Sequence, residues 1–169
     1  MATDLSHLRV MVVDDNPHMR SIMIMLLEGL GIRNIVQFED GATAFEGLRK
    51  VEPDVAFVDF RMATMDGVEF TRQVRTSAAS PNVYLPIIML TGHSERSRVF
   101  EARDAGVNEF IVKPVTALAV AGRLNAIAFK PRPFVRTESY MGPCRRRRDD
   151  PSYKGPWRRA GDQSAITAR

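Results

Sequence analysis

Five short apolar runs, rich in β-branched residues, recur along the first three quarters of the chain, with helical patterns between them. They are Leu8 to Val13, Asn34 to Phe38, Val55 to Asp59, Tyr84 to Leu90 and Glu109 to Val112. A strand covered on both faces reads as a continuous apolar run, and parallel neighbours need a crossover long enough to hold a helix. The intervening segments supply those helices. Asn16 followed by Pro17 is a cap and first-turn signal for a helix running to Leu30, with Gly31 placed to end it. Further helices are expected from Gly41, Asp66, Ser94 and Pro114. The pattern predicts an α/β fold: a five-stranded, doubly wound parallel sheet with helices on both faces.

Such a sheet collects function at the carboxyl ends of its strands. Asp14 and Asp15 stand at the end of the first run, Asp59 at the end of the third, Thr91 after the fourth and Lys113 after the fifth. Three carboxylates crowded into one crevice repel one another and call for a divalent cation, and oxygen-only ligands favour Mg2+ over zinc. A bound cation would recruit a phosphoryl group, whose remaining oxygens Lys113 and Thr91 can take. Asp59, leaving a buried strand, is the best-placed nucleophile for in-line attack, giving an acyl phosphate. No other nucleophile and base are suitably spaced, so chemistry beyond self-phosphorylation and self-dephosphorylation at Asp59 is not expected.

These residues resemble the response-regulator receiver domains of two-component signalling, specifically the single-domain CheY-like type. The matching stretches are Val12-Val-Asp-Asp-Asn16, Asp59 followed by Met65-Asp66-Gly67, Thr91-Gly92, and Phe110-Ile-Val-Lys-Pro114. The resemblance implies a flavodoxin-like sheet of order 2-1-3-4-5 over residues 1–129. It implies Asp59 as phospho-acceptor, Asp15 as a direct Mg2+ ligand, Asp14 as a ligand through water, and the Arg61 carbonyl as a further contact. Thr91 and Lys113 would hold phosphoryl oxygens, and Phe110 would be the aromatic switch beside Thr91, lacking the hydroxyl of a tyrosine. Ala63 stands where Pro is common, and Arg61 and His93 occupy the variable positions flanking the phosphosite. A sensor histidine kinase or phosphotransfer protein is the implied phosphodonor. The face from Glu95 to Gly106 and Phe110 to Phe129 would dock a partner.

Charge divides the chain near Lys130. Residues 1–129 carry 13 basic and 16 acidic groups, whereas residues 130–169 carry 11 and 4, so the parts hold −3 and +7. Half of the ten prolines also fall in the second part, where aliphatic side chains are too scarce for a core of its own. We therefore expect a receiver over 1–129 and a disordered, arginine-rich tail over 130–169 that folds on ligand binding. The single cysteine, Cys144, excludes an internal disulfide, and three scattered histidines argue against a zinc site. No apolar run approaches the roughly 18 to 20 residues of a membrane helix, and the N-terminus lacks a signal-peptide pattern, so a soluble cytoplasmic protein is expected.

The tail concentrates Arg145 to Arg148, Arg158 and Arg159 with Asp149, Asp150, Tyr153 and Trp157. Arginine binds phosphate bidentately, stacks on flat rings and reads the O6/N7 edge of guanine, and a carboxylate suits guanine's pairing edge. The set describes a peptide able to wrap a guanine nucleotide, with Trp157 or Tyr153 stacking. Acids inside the cluster weigh against nucleic acid as the ligand. The segment is similar to the arginine-rich extension of the Cle proteins, CheY-like regulators that bind cyclic di-GMP. The similarity is carried by Arg132 to Arg136, Tyr140 to Pro143, Arg145 to Asp150 and Tyr153 to Arg159. It implies docking of the receiver to the flagellar motor switch protein FliM, tuned by the nucleotide, with recruitment to the motor. Two alternatives stay open: a plain phosphorelay receiver with an inert tail, and a nucleic-acid-binding regulator using the tail as a basic arm.

Overall fold

The computed structural model describes residues 5–92 and 97–145. Its element order is β1 (Arg9–Val13), α1 (Pro17–Gly29), β2 (Asn34–Phe38), α2 (Gly41–Val51), β3 (Val55–Asp59), α3 (Gly67–Thr76), β4 (Ile87–Thr91), α4 (Val99–Ala105), β5 (Glu109–Val112), α5 (Ala117–Phe129), β6 (Phe134–Arg136) and β7 (Met141–Pro143). The first five strands form one parallel sheet in the order β2-β1-β3-β4-β5, as expected.

Alternation along each strand divides the core between the two faces. Met11, Val13, Ala56, Val58, Ile87 and Met89 meet α2, α3 and α4 through Ala44, Leu48, Phe70, Val74 and Ala102. Val10, Val12, Phe57, Ile88, Leu90 and Ile111 meet α1 and α5 through Met23, Leu27, Val120 and Leu124. Each large side chain removed from water in these layers contributes about 2 kcal/mol. β1 and β3 lie at the centre of the sheet, which is why their ends can carry buried charge.

Local signals set the helix starts. The Asn16 side chain accepts from the backbone N–H of His18 and Met19, Asp40 from Thr43, Asp66 from Glu69 and Thr116 from Ala119. The last of these moves the start of the fifth helix from Pro114 to Ala117, because Thr116 supplies the cap. The fourth strand is also shorter than its apolar run. Tyr84 turns on Asn82, Pro86 has no N–H to give, and pairing starts at Ile87 and runs into Thr91. The helix expected from Ser94 has its first residues outside the described ones, and α4 is described from Val99.

The larger departure lies beyond Lys130. Residues 134–143, expected to be disordered, form an antiparallel hairpin pairing Phe134 with Pro143 and Arg136 with Met141. A two-stranded hairpin is marginal alone, and this one has no core of its own. It uses the side of the receiver instead. Tyr140 is buried and donates to the Pro143 carbonyl at 2.6 Å. Phe134 meets Tyr84 edge-on at 5.2 Å, and Arg132 donates to the carbonyls of Cys144, at 3.0 Å, and Asn108.

The anchor is Arg75 of α3, only 3 % exposed. Its Nε and Nη2 donate to the Gly106 carbonyl at 3.1 and 3.0 Å, Nη1 to Val83 O at 2.9 Å, and Nη2 also to Asn108 Oδ1 at 2.9 Å. Its guanidinium lies 5.1 Å from the centre of the Phe134 ring. Burial pulls the Arg75 pKa down to about 9, which leaves it charged at neutral pH. The hairpin thus rests on a buried cation that the receiver itself supplies.

Candidate phosphoryl and metal site

The strand ends bring the expected acids together. Asp14 follows β1, Asp59 closes β3, and Asp14, Asp15 and Asp59 each offer a carboxylate oxygen within 4.8 Å of the others. Asp14 and Asp59 are buried, while Asp15 is exposed. Lys113, one residue past β5, places Nζ 2.6 Å from Asp59 Oδ1 and 3.7 Å from Asp14 Oδ2. Thr91 is buried at the end of β4 and pairs in register with Val112, next to Lys113. The backbone N–H of Lys113 donates to Thr91 O at 2.8 Å, fixing β5 against β4 where the site needs both.

Backbone donors hold the carboxylates in place. Asn16 N–H donates to Asp14 Oδ1 at 2.9 Å, and Arg61 N–H to Asp59 Oδ2 at 3.0 Å. Gly67 closes the loop behind Asp59: a Cβ there would lie 2.4 Å from the Asp59 carbonyl oxygen, so no other residue lets α3 start so close to the strand.

Burial raises the carboxyl pKa values of Asp14 and Asp59 above the ordinary carboxylate value, against the opposing pull of Lys113 and the backbone donors. Burial alone would lower the Lys113 ammonium, but its hydrogen bond and charge contact with Asp59 outweigh this and hold it above its usual value. Asp14 Oδ2 is buried and accepts no hydrogen bond. Three carboxylates with one undonated buried oxygen suit a hard divalent cation that takes oxygen ligands. Asp14, Asp15 and Asp59 fit Mg2+ on that test.

Two supporting groups were not legible in the sequence. Arg20, one turn into α1, donates to the Asp14 carbonyl at 2.7 Å. Arg98 lies 5.0 Å from the centre of the Phe60 ring and bridges Asp66 and Glu101 at 3.4 and 3.0 Å, tying the start of α3 to α4. No motif marks an arginine that works through a carbonyl or a ring.

Phe110, paired with Met89, is half-buried against the core on the α2–α3–α4 face. Along α5, Val120 and Leu124 are the buried contacts, whereas Leu118 is 85 % exposed and Ala128 is exposed. His93 and the tail residues Arg146, Arg147, Arg148, Asp149, Asp150, Tyr153, Trp157, Arg158 and Arg159 lie outside the described residues. Among the described residues, Arg145 is the first arginine of that cluster and is tied to Asp104 of α4 at 2.9 Å.

A parallel 2-1-3-4-5 sheet with acids at its central strand ends and a lysine beyond its last strand is the architecture of a signalling receiver domain. The sequence model of the response regulator receiver domain matches residues 10–125, and the chain belongs to that family. It is 36 % identical over 121 residues to chemotaxis protein CheY-3 of Vibrio cholerae, covering 72 % of this chain and 92 % of that protein. It is 34 % identical over 120 residues to chemotaxis protein CheY of Pseudomonas aeruginosa, covering 71 % and 95 %. Among solved structures, Vibrio cholerae CheY4 superposes with a TM-score of 0.63 at 27 % identity, covering 71 % of this chain and 98 % of that one. The receiver domain of sensor histidine kinase PA1611 from Pseudomonas aeruginosa, with magnesium coordinated in its active-site cleft, superposes with a TM-score of 0.62 at 27 % identity, covering 70 % and 94 %. The chain thus carries a CheY-like response regulator receiver domain. No described helix is long and apolar enough to cross a membrane.

Proposed function

We propose that the protein is a two-input signalling adaptor. Its receiver takes a phosphoryl group on Asp59 in the presence of Mg2+, its arginine-rich tail binds cyclic di-GMP, and its output is a contact with the flagellar motor switch protein FliM. The observation that carries the first input is the 2.6 Å pair between Lys113 Nζ and Asp59 Oδ1 inside the three-carboxylate cluster. A histidine kinase or phosphotransfer protein supplies the phosphoryl group. An Asp59 carboxylate oxygen attacks phosphorus in line, the phosphorus–nitrogen bond to the donor imidazole breaks, and an acyl phosphate forms.

Asp14, Asp15, Asp59 and the Arg61 carbonyl would hold Mg2+, which when bound would neutralise charge on the transferring group. Lys113 gives up its pair with Asp59 and takes a phosphoryl oxygen, while Thr91 stands ready for another. Of the exposed large apolar side chains among the described residues, Phe100, Val112, Leu118 and Phe129 fall on α4, β5 and α5, while Met25 lies on α1 and Tyr84 before β4, and the group of four supports a protein contact on that side.

The second input rests on the composition of residues 145–159, with Arg145 to Arg148, Arg158 and Arg159 for phosphates and guanine edges, Asp149 or Asp150 for the pairing edge and Trp157 or Tyr153 for stacking. The test is calorimetric titration of the full chain with cyclic di-GMP and with GTP as control, alongside Arg147→Ala and Trp157→Ala. Selective binding of cyclic di-GMP at about micromolar affinity or tighter, near −8 kcal/mol, and lost in both variants, supports the reading. Equal binding of unrelated DNA that collapses with salt would favour a basic arm instead. The shortest receiver for comparison ends after Arg145 and not at Phe129, because a cut at Phe129 strips the hairpin and uncovers Arg75.

A further inference from the structure

Between α4, β5 and the segment flanking the hairpin lies a cleft of about 180 Å³, walled by Phe100, Val107 and Phe110 and rimmed by Arg103, Arg132 and Arg145. Whole small-molecule sites run to roughly 300–1,000 Å³, so this one holds a single ring. Its chemistry is uncommon for a surface pocket: two phenyl rings and three guanidiniums, with no carboxylate among the lining residues.

Two of the guanidiniums sit beside aromatic rings before any ligand arrives. Arg103 lies 5.0 Å from the centre of the Phe100 ring, and Arg145 lies 4.3 Å from that of Tyr140. Both lean on the same acceptor, Asp104 Oδ1, at 3.1 and 2.9 Å. A guanidinium carries five N–H donors, so each keeps donors in reserve. Arg132 is engaged with the Cys144 and Asn108 carbonyls and faces Glu109 at 3.7 Å, which makes it the fixed side of the rim.

Apolar walls suit the face of a flat ring better than a bare phosphate, which needs donors on every side. An arginine fork at the edge of such a ring matches the two adjacent acceptors O6 and N7 of guanine. Arg145, at the mouth, is followed directly in the chain by Arg146, Arg147 and Arg148.

We propose that this cleft is the receiver's half of the cyclic di-GMP site. One guanine ring enters beside Phe100 and Phe110, Arg103 takes its O6/N7 edge, and Arg145 turns from Asp104 to a phosphate. This rests on the proposed nucleotide sensing by the tail and adds to it that the receiver itself contributes ligand contacts, on the side that carries the exposed apolar residues. Phe100, 64 % exposed, is then shared by ligand and docking face, so nucleotide binding reshapes the surface that a protein partner reads.

The experiment is calorimetric titration of the full chain with cyclic di-GMP for wild type, Phe100→Ala, Arg103→Ala and Asp104→Asn, each checked for unchanged urea unfolding. Phe100 and Asp104 are exposed and Arg103 is half-buried outside the core, so the fold survives their replacement. Both alanine variants should bind at least tenfold more weakly. Asp104→Asn should bind about threefold more tightly, because it removes the carboxylate that competes for both arginines, a gain that a structural defect does not produce. Alanine variants within twofold of wild type, or no gain in Asp104→Asn, overturn the proposal while nucleotide binding by the tail stands. A wild-type chain that does not bind cyclic di-GMP at all overturns both.

Discussion

Asp14→Asn tests the electrostatic account of the site most directly. Asp14 is 1 % exposed, and its Oδ2 has no hydrogen-bond donor. At the 4.8 Å limit of the carboxylate cluster and an effective dielectric of about 20, repulsion between Asp14 and Asp59 is about 3.5 kcal/mol. At 3.7 Å, attraction between Asp14 and Lys113 is about 4.5 kcal/mol on the same footing. These nearly cancel, which leaves the desolvation of a buried carboxylate, several kcal/mol in proteins, offset in part by the Asn16 N–H. The raised pKa of Asp14, with burial as its main cause, has the same sign. Replacing the charge by a neutral amide should therefore stabilise the metal-free protein by about 1–2 kcal/mol at pH 7 in urea unfolding.

Mg2+ at 100 times the wild-type dissociation constant should stabilise the wild type by about 2.7 kcal/mol and Asp14→Asn by less, because only Asp15 and Asp59 remain there. The pH dependence follows with its sign. An acid whose folded pKa lies above its unfolded value of 3.8 is bound more tightly to its proton when folded. Stability then rises as pH falls through the raised folded values of Asp14 and Asp59 and is complete below the unfolded value. Without Mg2+, the contribution of these two groups should grow on mild acidification, and less so in Asp14→Asn. A variant less stable than wild type without metal, yet gaining as much as wild type from Mg2+, would refute the reasoning.

Arg75→Met should cost about 3 kcal/mol in urea unfolding, since it leaves the Gly106 and Val83 carbonyls and Asn108 Oδ1 short of donors inside the protein. A loss below about 1 kcal/mol would mean that these acceptors do not depend on Arg75. Gly142→Ala would place a Cβ 2.7 Å from the Gly106 Cα and 2.6 Å from the Tyr140 hydroxyl. The hairpin should lift from the receiver, read as trypsin cleavage after Arg136 well below the unfolding midpoint, with the Mg2+ response intact. Asp59→Asn should abolish phosphoryl uptake from a small phosphodonor while leaving Mg2+ binding weakened rather than lost, because Asp14 and Asp15 remain.

The sheet and its site were legible because both are written in local patterns. Continuous apolar runs mark doubly covered strands, caps mark helix starts, and the residue after each run stands at the edge where such a sheet gathers function. Asp14, Asp15, Asp59 and Lys113 could therefore be assigned to one crevice before any distance was known. The ordered hairpin had no comparable mark. Strands of three residues, Phe134–Arg136 and Met141–Pro143, are too short to show a period, and their stability comes from groups far away in sequence: Arg75, Gly106 and Asn108. The same holds for the cleft rimmed by Arg103, Arg132 and Arg145, which exists only once the hairpin is docked. Sequence alone determined the receiver, since nearest-neighbour chemistry along the chain specifies its strands, caps and strand ends. Tertiary structure decided that residues 134–143 pair and what they touch, because a pair of three-residue strands acquires its shape only from the surface that buries it.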